Sequence, residues 1–182
     1  LAELAQRVEQ GLHILAIGWS EDAMSQLAGM AIHTESRKLV YEPPLSGLPK
    51  ALAGIGPADL FWHGPIKCEA IAAIHEPKVA TMNTAVYWTP FGTLGQVRRS
   101  HGRIVFLQPT PDDVEHSWQT HARRKILGVI GIVLSNWNVS APADRLLHDL
   151  STSPAADEKR WDADYYATPA TLKDDVFRWR SW

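Results

Sequence analysis

The segment that most constrains the fold is residues 95–137, which has the pattern of a strand, a turn, a second strand and one long helix. Ser100-His101-Gly102 separates two strand-like runs, and a glycine-containing turn in this position favours a β-hairpin. Thr110 can cap the helix that follows, and Pro111 suits its first position. Apolar spacing predicts a helix over residues 111–137 with one apolar face. The residues of that face are Val114, Trp118, Ala122, Ile126, Ile130, Val133 and Trp137.

The rest of the chain carries shorter helical and strand-like patterns. They predict helices at residues 1–12, 21–27 and 66–74, a hairpin of strands at residues 29–34 and 38–42, and further strands at residues 78–82 and 84–89. Residues 13–18 fit either a buried strand or a continuation of the first helix, because a short apolar run has no diagnostic period. Prolines and glycines between residues 43 and 57 indicate a loop.

This order of elements predicts an α+β fold with an antiparallel sheet flanked by helices, since strands and helices do not alternate as they do in a parallel sheet. We expect residues 1–137 to form one domain that ends in the long helix. Residues 138–182 are mixed in charge and studded with aromatics, which predicts a short helical, aromatic-rich C-terminal extension. Aromatic side chains in such a tail are expected to dock on the domain or on a partner, so a subunit of a larger assembly is one functional alternative.

Three parts of this pattern resemble a GAF-type sensory domain. They are the strand pair around Glu35-Ser36-Arg37, the step Glu76-Pro77-Lys78-Val79 after a glycine-led helix that begins at Gly64, and the strand Gly102-Arg103-Ile104-Val105-Phe106-Leu107 before the long helix. The resemblance covers about residues 1–137. It implies a GAF/PAS-like architecture, a small-molecule ligand, signalling through the terminal helices and a homodimer. Residues 84–101 depart from it, because they are polar and arginine-rich where the family has an apolar central strand.

Composition narrows the classes of partner. A net charge of −2 argues against nucleic acid as a partner, and the strongly apolar run at residues 126–134 is too short to cross a membrane. The one cysteine, Cys68, excludes an internal disulfide and suits a reducing compartment, so we expect a cytoplasmic protein. No signal-peptide pattern is recognised at the start. The chain begins at Leu1, not Met, so other domains of a longer chain are an alternative to a second copy as partner.

Two residues are candidate nucleophiles of a hydrolase. Ser20 lies in Gly18-Trp19-Ser20-Glu21-Asp22, which follows an apolar run and precedes a helix, as in the nucleophile elbow of α/β-hydrolases. Asp22 stands where that motif requires glycine, and Ser20 is explained equally well as a helix cap. Cys68 has Lys67 beside it and histidines nearby in sequence, which suits an activated thiol, although a lone cysteine among apolar residues is often a small buried hydrophobe.

Charged side chains near the long helix suggest two further kinds of site. Asp112 and His116 share a helix face, but His121 diverges from them and Asp113 favours the helix dipole, so the metal interpretation is not adopted. The basic residues Arg98, Arg99 and Arg103 precede a second basic cluster at residues 123–125 and could bind an anion together.

Aromatic residues concentrate in the middle of the chain and form the predicted ligand site. A cavity lined by aromatics with a few polar tips suits a small ligand. The predicted lining residues are Trp62, His63, Met82, Tyr87, Trp88 and Phe91. Together with the resemblance to GAF-type domains, these residues predict a small-molecule-binding regulatory domain, with the hydrolase as the alternative. The sequence identifies neither the ligand nor a cofactor.

Overall fold

The structure, a computed structural model, describes residues 1–43, 45–75, 85–110 and 120–139. In chain order its elements are α1 (Ala2–Glu9), β1 (His13–Ile17), α2 (Glu21–Ala28), β2 (Ala31–Tyr41), a 3-10 turn (Lys50–Leu52), β3 (Phe61–His75), β4 (Ala85–Trp88), β5 (Leu94–Arg99), β6 (Gly102–Leu107) and α3 (Thr120–Asn136). The predicted α+β class is confirmed. Within the described ranges, no helix combines the length and the apolar character needed to span a bilayer.

One sheet has four strands in the order β1-β6-β5-β4. The predicted hairpin is present as β5 and β6, which pair from Leu94 opposite Leu107 to Arg99 opposite Gly102. Residues 13–17 form a strand that pairs in parallel with β6. This sheet is therefore mixed, so it differs from the predicted antiparallel sheet in the pairing of β1 with β6. Ala16 packs in one core and Leu15 in the other, so β1 is apolar on both faces and shows no alternation.

A second sheet consists of β2 and β3, which pair antiparallel over most of their length. The predicted hairpin within residues 29–42 is wrong, because the polar residues 35–37 lie inside the continuous strand β2. The predicted helix at residues 66–74 is also wrong, because these residues belong to β3. Ile66, Cys68 and Ala70 are buried while Lys67 and Glu69 are exposed, which is the period of two expected for a strand with one covered face.

Two apolar cores lie on opposite faces of the four-stranded sheet. The first, here called the α3 core, joins α3 to one sheet face and to the first half of β3 through residues that include Ile66, Leu94, Val105, Leu107, Ile126 and Ile130. The second, the α2 core, joins α1 and α2 to the other sheet face and to the last part of β3 through residues that include Val8, Met24, Leu27, Ile71, Ile104 and Phe106. Strand β3 thus contributes to both cores.

The described part of the long helix begins at Thr120, and its apolar face packs into the α3 core as predicted. Residues 111–119, where the helix is predicted to start, lie outside the described residues. Residues 140–182 also lie outside them, so the division into a domain of residues 1–137 and a helical extension of residues 138–182 stays a prediction.

A buried carboxylate fastens the end of β2 to the loop between β4 and β5. Glu42 is 2% exposed and accepts four hydrogen bonds. Its Oε1 accepts from the hydroxyls of Thr89 and Thr93 at 2.6 Å and from the Thr93 N–H at 2.9 Å, and its Oε2 accepts from the Phe91 N–H at 2.9 Å. These four hydrogen bonds offset the free-energy cost of removing the carboxylate from water.

The same loop approaches β3 through a glycine. The Ile71 N–H donates to the Gly92 carbonyl at 2.9 Å, and Gly92 has a φ of +79°. A Cβ at this position would lie 2.1 Å from the Ile71 carbonyl oxygen. Glycine is required here both by the left-handed backbone and by the closeness of the two chains.

Candidate functional site

A cavity of about 380 Å³ opens between three segments that are distant in sequence. It lies beyond the carboxyl ends of the parallel strands β1 and β6 and beside the middle of β3. Ligands of open sheets with parallel strands bind characteristically beyond the carboxyl ends of those strands. The residues that line the cavity are Gly18, Trp19, Ser20, Lys67, Cys68, Glu69, Gln108 and Thr110.

The first lining segment, residues 18–20, turns from β1 into α2. Gly18 has a φ of +62°, and its N–H donates to the Leu107 carbonyl at 2.8 Å, which continues the pairing of β1 with β6. A Cβ on Gly18 would lie 2.2 Å from Thr110 Cγ2, so the first and third lining segments are in close contact. Ser20 caps α2 as predicted, and its hydroxyl oxygen accepts from the Ala23 N–H at 3.4 Å.

Charge at the start of α2 is already balanced by its own side chains. Glu21 and Asp22 occupy the first helical turn, where carboxylates favour the positive end of the helix dipole. Glu21 Oε2 accepts from the Thr34 N–H at 2.7 Å, and Glu21 Oε1 lies 3.4 Å from His33 Nδ1. The hydrogen bond from the Thr34 backbone is the main reason that the pKa of Glu21 is below its ordinary value, against a smaller opposing effect of desolvation.

The second lining segment, residues 67–69, is the middle of β3. Cys68 is 6% exposed and belongs to the α3 core, whereas Lys67 and Glu69 are exposed. The carbonyl of Glu69 and the N–H of Ile71 both bond to groups outside the β2–β3 ladder. Alternate residues of a strand direct their backbone groups to the same edge, so the backbone groups of Lys67 and Glu69 lie on the edge of β3 that faces the cavity.

Gln108, in the third lining segment, is the best-defined polar group of the cavity. It is 2% exposed. Its Nε2 donates to the Trp19 carbonyl at 3.3 Å and to the Glu69 carbonyl, and so joins the first segment to the second. Its Oε1 is buried and has no hydrogen-bond partner among the described residues. Buried carboxamide oxygens are normally bonded, so this oxygen is an exception, which it shares with the Oε1 of Gln96 among the described residues.

The two candidate nucleophiles, Ser20 and Cys68, both line this one cavity. A nucleophile of either type needs a base within hydrogen-bond reach. The described lining residues include no histidine, and their side chains that carry charge are Lys67 and Glu69. Lys67 and Glu69 are the side chains of the described lining that could serve as that base.

Of the aromatic residues predicted to form the ligand site, Trp62, Tyr87 and Phe91 belong to or pack against the α3 core, and none of these three lines the cavity. Trp62 is fully buried in the α3 core, whereas Trp88 is 38% exposed. Phe91 makes an edge-to-face contact with Tyr41 at a centroid distance of 5.8 Å. Partial burial of Tyr87, together with the negative charge of Glu42, raises the pKa of the Tyr87 phenol. Met82 and the side chain of His63 lie outside the described residues.

The three arginines predicted to bind an anion are divided between the two faces of the sheet. Arg98 and Arg103 are cross-strand neighbours on one face. Arg99, the next residue along β5, lies on the other face, where its guanidinium contacts the Glu9 carboxylate and donates to the Leu27 carbonyl at 3.2 Å. Arg99 is therefore engaged by a carboxylate and a carbonyl.

The candidate metal ligands lie beyond the described part of the chain. Asp112, Asp113 and His116 fall within residues 111–119, and the side chain of His121 is likewise not described. Among the residues that are described, no group of three or more His, Cys, Asp or Glu side chains is arranged to hold a metal ion.

The sequence drew attention to Ser20 and Cys68 but not to the residues that complete the cavity with them. Gln108 follows an apolar strand and precedes Pro109, and a polar residue at the carboxyl end of a buried strand is the signal that could have indicated it. Lys67 and Glu69 could not be recognised as edge residues while this segment was interpreted as a helix. No model of a known protein family matches the chain, and no curated protein matches it either, so the function is inferred from the geometry of the site.

Proposed function

We propose that this protein is a small-molecule-binding regulatory domain whose ligand occupies the cavity lined by residues 18–20, 67–69 and 108–110. The observation that carries the proposal is the Gln108 carboxamide. Its nitrogen is held by two backbone carbonyls, and its oxygen is buried without a partner among the described residues. A ligand that donates a hydrogen bond to Oε1 completes the set of bonds that burial requires.

The size and position of the cavity support the same proposal. A volume of about 380 Å³ is near the lower end of the range of roughly 300–1,000 Å³ that is usual for small-molecule sites. One wall is the middle of strand β3, and the other two are the short segments that directly follow β1 and β6, so each wall is attached to a strand. The close contact of Gly18 with Thr110 brings two of these walls together.

Strand β3 provides a route from the cavity to α3. Cys68 lines the cavity and belongs to the α3 core, together with Ala70 of β3 and with Ile126 and Ile130 of α3. A ligand that favours one position of the β3 edge therefore favours one packing of α3, which is a population shift. A GAF-type sensory role, with output through α3 and its extension in a homodimer, is the form of regulation that we propose.

Native mass spectrometry of the purified full chain tests ligand binding directly. We expect an added small-molecule mass that is retained under native conditions and lost on denaturation. Gln108→Met, which keeps the side-chain length but removes the amide, is expected to abolish it. Gln96→Met is the matched control, because Gln96 is also buried with an Oε1 that lacks a partner among the described residues, but it does not line the cavity.

A ligand-observed and protein-observed NMR screen of small fragments covers the case in which no ligand survives purification. Binding that shifts the amide resonances of residues 18–20 and 67–69 supports the proposal. If no fragment shifts them at millimolar concentration, or if Gln108→Met and Gln96→Met retain a copurified molecule equally well, this cavity is not the ligand site.

A hydrolase is the second candidate, favoured by the presence of Ser20 and Cys68 in one cavity. A panel of ester and amide substrates is assayed with Ser20→Ala and Cys68→Ala. Loss of turnover in one variant, with its fold intact, would establish the nucleophile and displace the regulatory proposal. Turnover that is absent in the wild type, or that both variants retain at the wild-type level, eliminates this candidate.

A further inference from the structure

Strand β1 lies at one edge of the four-stranded sheet, and its outer side makes no backbone hydrogen bond to another described residue. The Gly18 N–H donates to β6 at 2.8 Å, and successive residues of a strand direct their backbone groups to opposite edges. The even-numbered residues of β1 therefore bond to β6. The N–H and C=O groups of His13, Leu15 and Ile17 point outward from the sheet.

The outer edges of β2 and β3, in contrast, are already bonded to other parts of the protein. Along β2, Ser25 Oγ accepts from the Ile32 N–H at 3.0 Å and donates to the Ile32 carbonyl at 3.2 Å. Along β3, the Glu69 carbonyl accepts from Gln108, and the Ile71 N–H donates to the loop between β4 and β5. Within the described residues, β1 has no equivalent contact on its outer edge.

The sequence of β1 also lacks the features that keep an exposed edge from pairing. Edge strands are commonly protected by lysine, proline, a bulge or great shortness. Strand β1 carries no lysine and no proline, and it pairs with β6 in one continuous register. Ile14 packs against the α2 core, and Leu15 and Ile17 pack against the α3 core, yet all three are only half-buried. A strand that lies beside β1 must therefore be apolar on both faces.

Strand β1 of a second copy meets this requirement. Residues 14–17 are four consecutive apolar residues, whereas the longest apolar run within residues 140–182 is the three residues 165–167. The outward groups of β1 are spaced evenly about Leu15, so two copies can pair antiparallel around a two-fold axis at this residue. Such a contact is isologous and closes at two copies.

We propose that a second copy of this chain occupies this edge, so that the two four-stranded sheets join through β1 into one sheet. Leu15 then lies opposite the partner's Leu15, and His13 lies opposite the partner's Ile17. Because the axis is perpendicular to the sheet, both α3 helices lie on the same face of the joined sheet. This inference rests on the homodimer in the proposed function and gives it an interface; it does not depend on the cavity.

The interface is expected to be weak. A pair of five-residue strands buries less than the roughly 1,200–2,000 Å² that stable interfaces bury. We therefore expect a dissociation constant in the micromolar range, measured by sedimentation equilibrium of the full chain.

Hydrogen exchange of the wild-type full chain tests the edge without any substitution. The amides of Leu15 and Ile17 are free in the monomer and bonded in the proposed dimer, whereas the Ala16 amide bonds to β6 in both states and is the internal control. We expect protection of Leu15 and Ile17 to rise with the dimeric fraction as the protein is concentrated. Rapid exchange of both amides in a fully dimeric sample would overturn the inference.

Exchange of charge at the two-fold axis tests the register. Leu15→Lys and Leu15→Glu each place like charges directly opposite one another, and we expect each to weaken dimerisation at least about tenfold. An equimolar mixture places lysine opposite glutamate and should restore the dimer, which simple loss of folding would not allow. Val86→Lys is the matched control, because Val86 is also half-buried but lies on β4, the other edge strand of the same sheet, and should leave the dimer intact.

The outcomes separate this inference from the proposed function. A dimer that persists in both Leu15 variants has another interface, so the inference fails while the homodimer stands. A monomer at every concentration removes the homodimer as well. A monomer in which the amides of Leu15 and Ile17 are nevertheless protected would show that another segment of the chain covers this edge, which also overturns the inference. Ligand binding in the cavity is decided independently by the fragment screen.

Discussion

Replacement of Glu42 by glutamine tests the most densely bonded polar group of the described structure. Three of the four donors point at Oε1 and one at Oε2, so the amide oxygen of Glu42→Gln will take the Oε1 position. The amide nitrogen then faces the Phe91 N–H, which loses its acceptor and meets another donor. The three remaining hydrogen bonds lose the assistance of the negative charge.

The magnitude follows from these contacts. A hydrogen bond to a charged group contributes about 1.5–3 kcal/mol, and a buried donor left without a partner costs about 1–3 kcal/mol. One bond is lost outright and the others are weakened, so we expect Glu42→Gln to lower the free energy of unfolding by about 3 kcal/mol. For a chain of 182 residues this corresponds to a fall in the melting temperature of roughly 6–12 °C.

Urea unfolding followed by tryptophan fluorescence measures the change, with Glu35→Gln as the matched control. Glu35 contacts Arg37, but its side chain is 51% exposed, so its replacement is expected to change stability by less than about 0.5 kcal/mol. The midpoint for Glu42→Gln should fall while the slope with urea stays unchanged. A loss below about 0.5 kcal/mol in both variants would show that the Glu42 network does not hold the loop to β2 and would refute the reasoning.

Three other predictions concern the backbone and the titrating groups. Gly92→Ala should lower the melting temperature of the protein far more than Gly47→Ala, as measured by thermal unfolding. Both glycines have a positive φ, but only a Cβ at Gly92 would collide with neighbouring backbone. The pKa of Glu21 is lowered in the folded state, so its carboxylate stabilises the fold above the unfolded pKa, and this contribution is lost as the pH falls through the folded pKa. In Glu21→Gln the free energy of unfolding should therefore fall less steeply below about pH 5 than in the wild type. In Glu42→Gln the raised pKa of the Tyr87 phenol should move towards its ordinary value, because the negative charge of Glu42 is removed. Phenolate absorbance measures the titration, with Tyr87→Phe as the reference, and an unchanged titration would contradict a role for the Glu42 charge.

Local chemistry made the β5–β6 hairpin and α3 predictable. The turn at residues 100–102 contains glycine, and the apolar face of α3 repeats over several turns, so each pattern is complete within its own segment. Ser20 was recognised as a cap for the same reason, since a hydroxyl before two acidic residues is a local signal of a helix start.

Strands whose character depends on a distant partner could not be predicted. His13–Ile17 is a strand because it pairs with residues 103–107, about ninety positions later, and nothing within the run itself distinguishes it from a helix. In β3 the spacing of Ile66, Ala70 and Ile74 suits a helix, while the alternation of Ile66, Cys68 and Ala70 suits a strand. Pairing with β2 decides between them, which is a case of tertiary context overriding local preference.

Only some of the residues that line the cavity could be predicted from the sequence, for a related reason. The sequence indicates Ser20 and Cys68 as alternative nucleophiles of one hydrolase hypothesis, and only the fold shows that both line the same cavity. Gln108 belongs to no recognisable sequence motif. Its place in the cavity depends on hydrogen bonds to the carbonyls of Trp19 and Glu69, which lie 89 and 39 positions away in sequence. Such a set of hydrogen bonds cannot be predicted until the position of β3 beside the loops of the four-stranded sheet is known.

That register also bears on how a ligand would act. Along the outer edge of β3, Glu69 is bonded to Gln108 and Ile71 to Gly92, while the other edge is held by the ladder with β2. The segment beside the cavity is therefore fixed on both edges and cannot close over a ligand as a free loop would. If the cavity binds a ligand as proposed, we expect binding to shift β3 as a unit. Because Ile66 and Cys68 pack in the core that contains Ile126, such a shift would reach α3 through side-chain packing and would need no lid.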